Sequence, residues 1–334
     1  MKTIDIAGPS FEEFRHGQSF DAPAVTLTEG HAAAYQAMFG DRLRLPLDQH
    51  AARQSLGGAV AHPLLAIHVA IGQSTWASQR VKANLFYRGL TLQRPILLGD
   101  TLHTVTRVIG LRQNRRQQGR SATGLVALEM QTRNQRGEDV LQCWRCPMIP
   151  CGDDNLESGH QDDLDGVGRC EPDTEARALH AAAGYWAPLD TSQWQGRRAR
   201  DVEVGDRLRI EARDTVTSAP ELVRMTLNMA MAHTDARLSF LGERLVYGGH
   251  VISIAHAQLT RALPNIIAML GWQSCDHTAP TLENDRVRTE LSVLDQRVVG
   301  AATMLKLKVE AFAARGNPET ESKVLDWVFS ALSA

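Results

Sequence analysis

The chain has 334 residues, of which 43% are apolar and 22% are charged, and its formal net charge is -2. This length favours two domains or one duplicated domain, and the composition excludes a mainly disordered or fibrous protein. With 36 basic and 38 acidic side chains, the molecule lacks the positive field that a nucleic acid or an anionic membrane would need, so we expect neither as a partner. No apolar run has the length of a signal peptide or membrane span, and we expect a cytoplasmic protein.

The first half reads as a buried helix followed by an antiparallel meander. After the helical stretch EGHAAAYQAMF comes HPLLAIHVAIGQS, which is apolar nearly all round and has Pro63 suited to a first helical turn. Strand-like runs follow, separated by turn-rich segments: ANLFYRGL, TLHTVTRVIGL, SATGLVALEMQTRN and DVLQCWRCPMI. A helix that is apolar on all sides must be buried, so we expect an α+β unit whose sheet wraps around it.

The five cysteines do not predict a disulfide framework or a metal site. They are an odd number scattered over a long chain, and only Cys143 and Cys146 are spaced as in a redox or zinc motif. No second such pair exists, and the surrounding run reads as a strand, in which residues three apart point to opposite faces. We therefore expect no metal and no cofactor there.

An acidic segment divides the chain. From Cys151 to Ala176 there are nine acidic residues, one arginine and almost nothing apolar. Such a segment is typical of a solvated linker, the alternative being an acidic docking segment. We assign residues 1–151 and 177–334 to two domains and 152–176 to the linker, and expect the linker to add no strand to either sheet and to be the main site of protease nicking.

The two domains resemble each other when shifted by 185 residues. Four landmarks share this offset: Pro95 with Pro280, Asp100 with Asp285, His62 with Tyr247, and Pro63 with Gly248. The second half also repeats the order of elements, with GGHVISIAHAQLTRAL as its central helix and strands near ELSVL, ATMLKLKVEAF and KVLDWVF. The sequence therefore predicts two similar units related by a pseudo-twofold axis.

The segments QRPILLGDTL, HTDARLSFLGERLVYGGH and LPNIIAMLGWQSCDHTAP resemble the MaoC-like hydratases and dehydratases in their double-hotdog form. Within that family they are most similar to the mesaconyl-CoA hydratase or β-methylmalyl-CoA dehydratase branch. The resemblance covers nearly the whole chain except the linker. It implies a double hotdog, each half an antiparallel β-sheet wrapped around a central helix. It also implies a cofactor-free hydro-lyase that acts on a short branched or dicarboxylic 2-enoyl-CoA, and we expect it to be a homo-oligomer, a dimer.

The family's catalytic motif is incomplete in both halves. The motif has an Asp, an Asn-Pro two residues later and a His five residues after the Asp, often with another Asp two beyond. In the second half His233 and Asp235 fit the end of the motif, but Asn228 stands where its Asp should be. The first half supplies Asp41 but has a Leu-Pro pair where the His belongs. Either Asp235, or Asp41 reaching across the domain interface, could therefore be the catalytic carboxylate, and the first half would shape the substrate site.

The residue types suit the chemistry that the resemblance implies. Histidine titrates near neutral pH, so His233 can activate water, and a carboxylate can share the proton transfer. Gly248 and Gly249 open a predicted helix, whose unpaired N–H groups can hold a thioester oxygen. Tyr247 and His250 flank the same helix end and could cap it, line the pocket or contact substrate.

Two other functions remain open from the sequence. The same fold hosts thioesterases, and an incomplete motif also fits an acyl-CoA-binding subunit without activity. A basic cluster in a predicted hairpin could bind coenzyme A phosphates, although solvated charges are commoner at such turns: Arg112, Arg115, Arg116 and Arg120.

Overall fold

The computed structural model describes residues 2–4, 6–155, 157–316 and 318–334. Its α-helices are α1 Glu29–Phe39, α2 Arg44–Leu47, α3 Gln49–Leu56, α4 Pro63–Gln73, α5 Pro172–Gly184, α6 Ala219–Met225 and α7 Gly248–Ala262. Its strands are β1 Ser19–Asp21, β2 Val25–Thr26, β3 Ala83–Leu92, β4 Thr101–Gln113, β5 Thr123–Arg133, β6 Asp139–Pro150, β7 Arg207–Arg209, β8 Asp214–Thr215, β9 Ile266–His277, β10 Arg286–Val299, β11 Ala302–Arg315 and β12 Thr320–Ser333.

The described strands form one continuous antiparallel sheet with a symmetric order. Five strands of the first half, β1-β4-β5-β6-β3, meet five of the second, β9-β12-β11-β10-β7, while β2 and β8 pair with β4 and β10. The two halves join where β3 pairs with β9, with Tyr87 opposite Cys275 and Thr91 opposite Gly271. The expected α+β plan of two antiparallel units is confirmed.

Matching hydrogen bonds show that the 185-residue repeat is structural. Asp100 and Asp285 each accept a hydrogen bond from the backbone N–H three residues earlier, at 2.9 and 2.8 Å. Gln73 and Gln258, near the ends of the two central helices, each donate to a strand carbonyl at 2.9 Å. Polar groups buried at equivalent places are satisfied in the same way, as a duplicated fold requires.

The two central helices are enclosed on all sides. Every residue of α4 from Leu64 to Gln73, and of α7 from Gly249 to Thr260, is buried, as the apolar helix patterns predicted. Gly72 is needed for this packing, because a Cβ there would lie 1.7 Å from the carbonyl oxygen of Thr226. Among the described residues, no helix has both the length and the hydropathy to cross a bilayer.

The acidic segment is not a free spacer, which corrects part of the sequence interpretation. Its described residues form no strand, but Asp162 donates its backbone N–H to Leu111 of β4 at 3.1 Å and accepts the Leu111 N–H on its side chain at 2.7 Å. Leu164 is only 2% exposed, and α5 begins at Pro172, inside the assigned linker. Leu164, the partly buried Val167 and a few hydrogen bonds hold an otherwise polar segment against the sheet. The domain boundaries stay a prediction.

The cysteine pair of β6 has the geometry expected of a strand. Cys143 packs in the core around the central helices, whereas Cys146 packs with Leu164 on the other face. Both thiols are unoxidised, and burial raises the pKa of each to about 12. Thiols of this kind are inert.

Candidate active site

A cavity of about 270 Å³ lies between the two halves. Its wall includes residues of α4, β3 and β6 from the first half and of the loop after α6, the start of α7 and the end of β9 from the second. The lining residues with polar side chains or glycine are Thr75, Lys82, Asn84, Tyr87, Arg145, Asn228, His233, Tyr247, Gly248, His277, Thr278 and Thr281. The structure thus brings together four of the site residues predicted from the sequence, namely His233, Asn228, Tyr247 and Gly248.

His233 is held in one tautomer at the cavity wall. Its Nδ1 lies 2.9 Å from the carbonyl oxygen of Leu245, and because a carbonyl only accepts, Nδ1 carries the proton. The lone pair is therefore on Nε2, the other ring nitrogen. Burial lowers the pKa of His233 to about 4 although the bond to Leu245 opposes this shift. The ring is thus neutral at pH 7 and can act as a base.

Asn228 occupies a tight turn that matches the turn of Asp41 in the other half. The Asn228 Oδ1 accepts the backbone N–H of Ala230 at 3.0 Å, and the Asp41 Oδ1 accepts that of Leu43 at 2.8 Å. With Oδ1 engaged, the Asn228 amide has its N–H donors left for the cavity. A neutral donor stands where the family's carboxylate is expected.

The N-terminus of α7 brings a backbone donor into the cavity. The helix begins at Gly248, and the first N–H groups of a helix have no partner within it. A Cβ on Gly248 would lie 2.2 Å from the Nε2 atom of His277, so only glycine fits there. Gly249 does not line the cavity; it packs under the Tyr247 ring and against His68.

Tyr247 is part of a buried hydrogen-bond chain that fixes the direction of its hydroxyl. Ser253 donates to the carbonyl of Gly249 at 2.9 Å, so its oxygen accepts from Tyr35 and from Nε2 of His68, both at 2.9 Å. Burial lowers the pKa of His68 to about 3, so the ring is neutral and its Nδ1 accepts. Tyr247 therefore donates to that Nδ1, 3.3 Å away, and offers only lone pairs to the cavity.

His277, at the end of β9, is a site residue that the sequence analysis missed. It lines the cavity. Burial and, to a smaller extent, the nearby His233 lower the pKa of His277 to about 4. A signal for it existed, because the 185-residue offset places Leu92 at the same position in the first half. An ionisable side chain that replaces an apolar one in only one copy points to a function of that copy.

Besides Gly249, two more predicted site residues of the second half lie outside the cavity. Asp235 caps a short 3₁₀ helix and pairs with Arg237 at 2.7 Å. Its hydrogen bonds to Arg237 lower its pKa. His250 is buried edge-on against the Phe39 ring at 4.8 Å between centroids, with no hydrogen bond to its Nδ1. Neither residue lines the cavity wall, because the chain turns away after His233 and α7 points His250 into the core.

Asp41 lies in a separate buried cluster and does not reach across to the cavity. Its Oδ2 accepts from Nδ1 of His256 at 2.6 Å and lies 3.3 Å from Nε2 of His62. Burial alone would raise the pKa of Asp41, but the two histidines outweigh it and hold the pKa well below its usual value. The three ligand atoms lie within 4.8 Å of one another, a grouping that could hold a metal ion.

The first half has a collapsed counterpart of the cavity. The 185-residue offset places Pro63, Leu92 and Pro95 where the open cavity has Gly248, His277 and Pro280. This second cavity measures about 20 Å³, room for about one water, and Leu45 and Trp186 are among its lining residues. The molecule thus has one spacious site from two copies of the plan.

The described wall of the open cavity contains basic residues but no acidic ones. Among the described lining residues the charged ones are Lys82 and Arg145, and none is Asp or Glu. The basic cluster of the β4–β5 hairpin does not contribute to this wall. Acid–base catalysis in the cavity therefore has histidine and hydroxyl side chains available from the described wall but no carboxylate.

No family model matches the chain. Individual proteins of similar sequence and structure do exist. A conserved double-hotdog protein from Mycobacterium tuberculosis, essential for bacterial survival during infection, is 43% identical with a TM-score of 0.90, covering 99% of this chain and 100% of the other. β-Methylmalyl-CoA dehydratase from Chloroflexus aurantiacus is 30% identical over 331 residues, 93% of this chain and 89% of its own. The chain belongs to the MaoC-like hydratases and dehydratases.

A further relative has the same class of activity. Mesaconyl-CoA hydratase from Cereibacter sphaeroides is 31% identical over 304 residues, 89% of this chain and 85% of its own. The family resemblance, the double-hotdog fold and the enzyme class, a carbon–oxygen lyase, are confirmed by these comparisons.

Proposed function

We propose that this protein is a hydro-lyase that adds water reversibly to a short branched or dicarboxylic 2-enoyl-CoA. The observation that carries the proposal is a neutral His233 with its Nε2 lone pair free, on the wall of the cavity that also contains the N-terminus of α7. The names of the two curated relatives support the choice of a CoA thioester and of this acyl class.

In the hydration direction, His233 Nε2 takes a proton from water as the water oxygen bonds to the β-carbon. The electron pair of the double bond moves toward the thioester, and negative charge develops on its oxygen. The N–H of Gly248, at the positive end of the α7 dipole, and the amide of Asn228 are the donors available to this oxygen.

The proton then returns to the α-carbon as the enolate collapses. Since no carboxylate lines the described wall, the His233 imidazolium is the donor for this step. One water is consumed, its hydroxyl stays on the β-carbon and its proton ends on the α-carbon. In this proposal neither Asp235 nor Asp41 takes the role of the family's Asp, and the chain itself supplies all of these groups.

The test follows a panel of enoyl-CoA thioesters with the purified protein. Loss of the ultraviolet absorbance of the conjugated thioester, without release of free thiol, is the expected result, and free mesaconate should not react. Stoichiometric thiol release would instead establish a thioesterase. Tight binding of the thioesters with neither change would establish a non-catalytic acyl-CoA-binding protein.

The expected homo-oligomer and cytoplasmic location remain predictions. Gel filtration with light scattering would measure the first, and fractionation of the producing cells the second.

A further inference from the structure

Arg145, on β6, is a buried cation without a counter-ion. Its side chain is 3% exposed and lines the cavity. Its Nη2 donates to the carbonyl of Ser74 and the hydroxyl of Ser78, and its Nε has no hydrogen-bond partner. Of the described residues, no Asp or Glu lies within ion-pair distance of the guanidinium.

Such an arrangement needs an explanation, because buried arginines in proteins are normally paired. Removing a guanidinium from water is unfavourable unless a negative charge or a full set of acceptors replaces the water. The Tyr87 hydroxyl is a further neutral hydrogen-bond partner of the guanidinium. These partners leave the charge unneutralised and Nε without an acceptor. A carboxylate is the group that fits this fork in a bidentate manner.

We propose that Arg145 binds a free carboxylate on the acyl group, which makes a dicarboxylic 2-enoyl-CoA the substrate of this cavity. This inference rests on the proposed function. The acyl group would lie between the thioester donors at Gly248 and the guanidinium of Arg145, with the carboxylate of the substrate supplying the missing counter-ion. The absence of acidic residues from the described wall keeps this position free for the ligand.

Lys82 is the other cation of the cavity and the competing candidate. It is only partly buried, so water can satisfy its charge without a ligand. An ammonium in contact with solvent suits the phosphates of coenzyme A as well as a carboxylate. We therefore assign the acyl carboxylate to Arg145 and use Lys82 as the matched control.

The experiment compares mesaconyl-CoA with (E)-2-methylcrotonyl-CoA, which has a methyl group in place of the free carboxylate. The ratio of their kcat/KM values is measured for the wild type, Arg145→Gln, Arg145→Lys and Lys82→Gln. Dissociation constants for both thioesters are measured in the His233→Ala background, where binding is read without turnover. Circular dichroism verifies the fold of each variant.

We expect the wild type to prefer mesaconyl-CoA at least about 100-fold, because a site built for a polar group rejects an analogue that lacks it. Arg145→Gln should reduce this ratio at least about 30-fold, Arg145→Lys should reduce it less, and Lys82→Gln should leave it within about threefold.

Equal kcat/KM values for the two thioesters in the wild type would overturn the assignment, even if Arg145→Gln fails to fold. So would an equal loss on both substrates in Arg145→Gln, which would mean a structural role, or loss of the preference in Lys82→Gln. If neither thioester is hydrated but mesaconyl-CoA binds preferentially through Arg145, the proposed function fails while the carboxylate site stands.

Discussion

At the scale of single residues, the chemistry depends on how one imidazole ring is held. The carbonyl of Leu245 fixes the proton of His233 on Nδ1, and desolvation keeps the ring neutral. The ring therefore presents a lone pair at neutral pH without an acidic partner. Asn228, in the position of the family's Asp, can donate a hydrogen bond but cannot take a proton, so the proposed mechanism assigns the proton transfers to His233.

His233→Ala should lower kcat on the best enoyl-CoA at least about 100-fold while the fold is retained, because it removes the base and the proton donor together. The matched control is His180→Ala, an exposed histidine on α5, which should leave kcat within about twofold. Near-normal kcat for His233→Ala would mean that another group activates the water, and the site assignment would be wrong.

Asp41→Asn tests whether Asp41, a predicted site residue that lies outside the cavity, contributes to catalysis or to stability. The substitution breaks a fully buried network around His256 and His62, and the free energy of unfolding should fall by about 3 kcal/mol. The kcat/KM of the folded enzyme should stay within about threefold. Asp235→Asn, which breaks a pair with the exposed Arg237, should change neither quantity appreciably.

Urea unfolding followed by circular dichroism, with kcat/KM measured on the same preparations, checks both variants. A folded, stable Asp41→Asn protein without activity would show that the catalytic carboxylate comes from the first half after all.

At the scale of elements, the N-terminus of α7 lies against both the cavity and the end of β9. Gly248 allows this, because the His277 ring occupies the space that a Cβ would need. The hydrogen-bond chain from Tyr35 to Tyr247 then ties α7 to α1 and α4 across the interface of the two halves. The helix end is therefore fixed by packing from both halves rather than by a capping side chain.

Gly248→Ala should reduce kcat/KM at least about tenfold, because the new methyl displaces His277 or the helix end and so misplaces the oxyanion donor. Gly184→Ala is the control, since a Cβ at the end of α5 has no atom within 4 Å. Steady-state kinetics gives kcat/KM for both variants. Equal values in the two would mean that the N-terminus of α7 takes no part in the reaction.

At the scale of the whole molecule, the duplicated plan contains one open cavity and one collapsed counterpart. The first half keeps the Asp and has lost the His and the space, whereas the second half keeps the His and the space. Asp41 of the first half accepts a hydrogen bond from His256 of α7 and so connects the two halves. Several other histidines are buried in the same interface, so folding should be sensitive to acid.

Stability should fall as the pH falls from about 6.5 toward 4. Burial lowers the pKa of His68 to about 3 and that of His250 to about 4. In this window the unfolded chain binds these protons and the folded protein does not, so each ring removes about 1.4 kcal/mol of stability per pH unit. Carboxylates such as Asp41, whose pKa is depressed in the folded state, lose their contribution only at lower pH.

Urea midpoints measured at half-unit steps from pH 7.5 to 4.5 check this dependence. His250→Leu removes a buried ring that has no partner at Nδ1. The free energy of unfolding should then change less steeply with pH, by an amount equal to the uptake of up to one proton on unfolding. A midpoint that stays constant between pH 7 and 5 would contradict the prediction.

The order and type of the main elements could be read from the sequence because each depends on local pattern. The apolar segments of α4 and α7 have the length of buried helices, and the strand-like runs after them are separated by turn-rich segments. The offset that relates Pro95 to Pro280 likewise predicts the duplication. His233 was found from a motif whose members are close together in the chain, and Gly248 from the start of a predicted helix.

Other parts of the site were decided by tertiary structure alone. Arg145 and His277 come from strands of different halves, and only the pairing of β3 with β9 brings them to one cavity. Packing also determined where the two candidate carboxylates lie. Asp41 has buried histidine partners, and Asp235 pairs with the exposed Arg237. Local pattern determines which elements form, but contacts between distant segments determine which side chains share a cavity and which charges lack a partner.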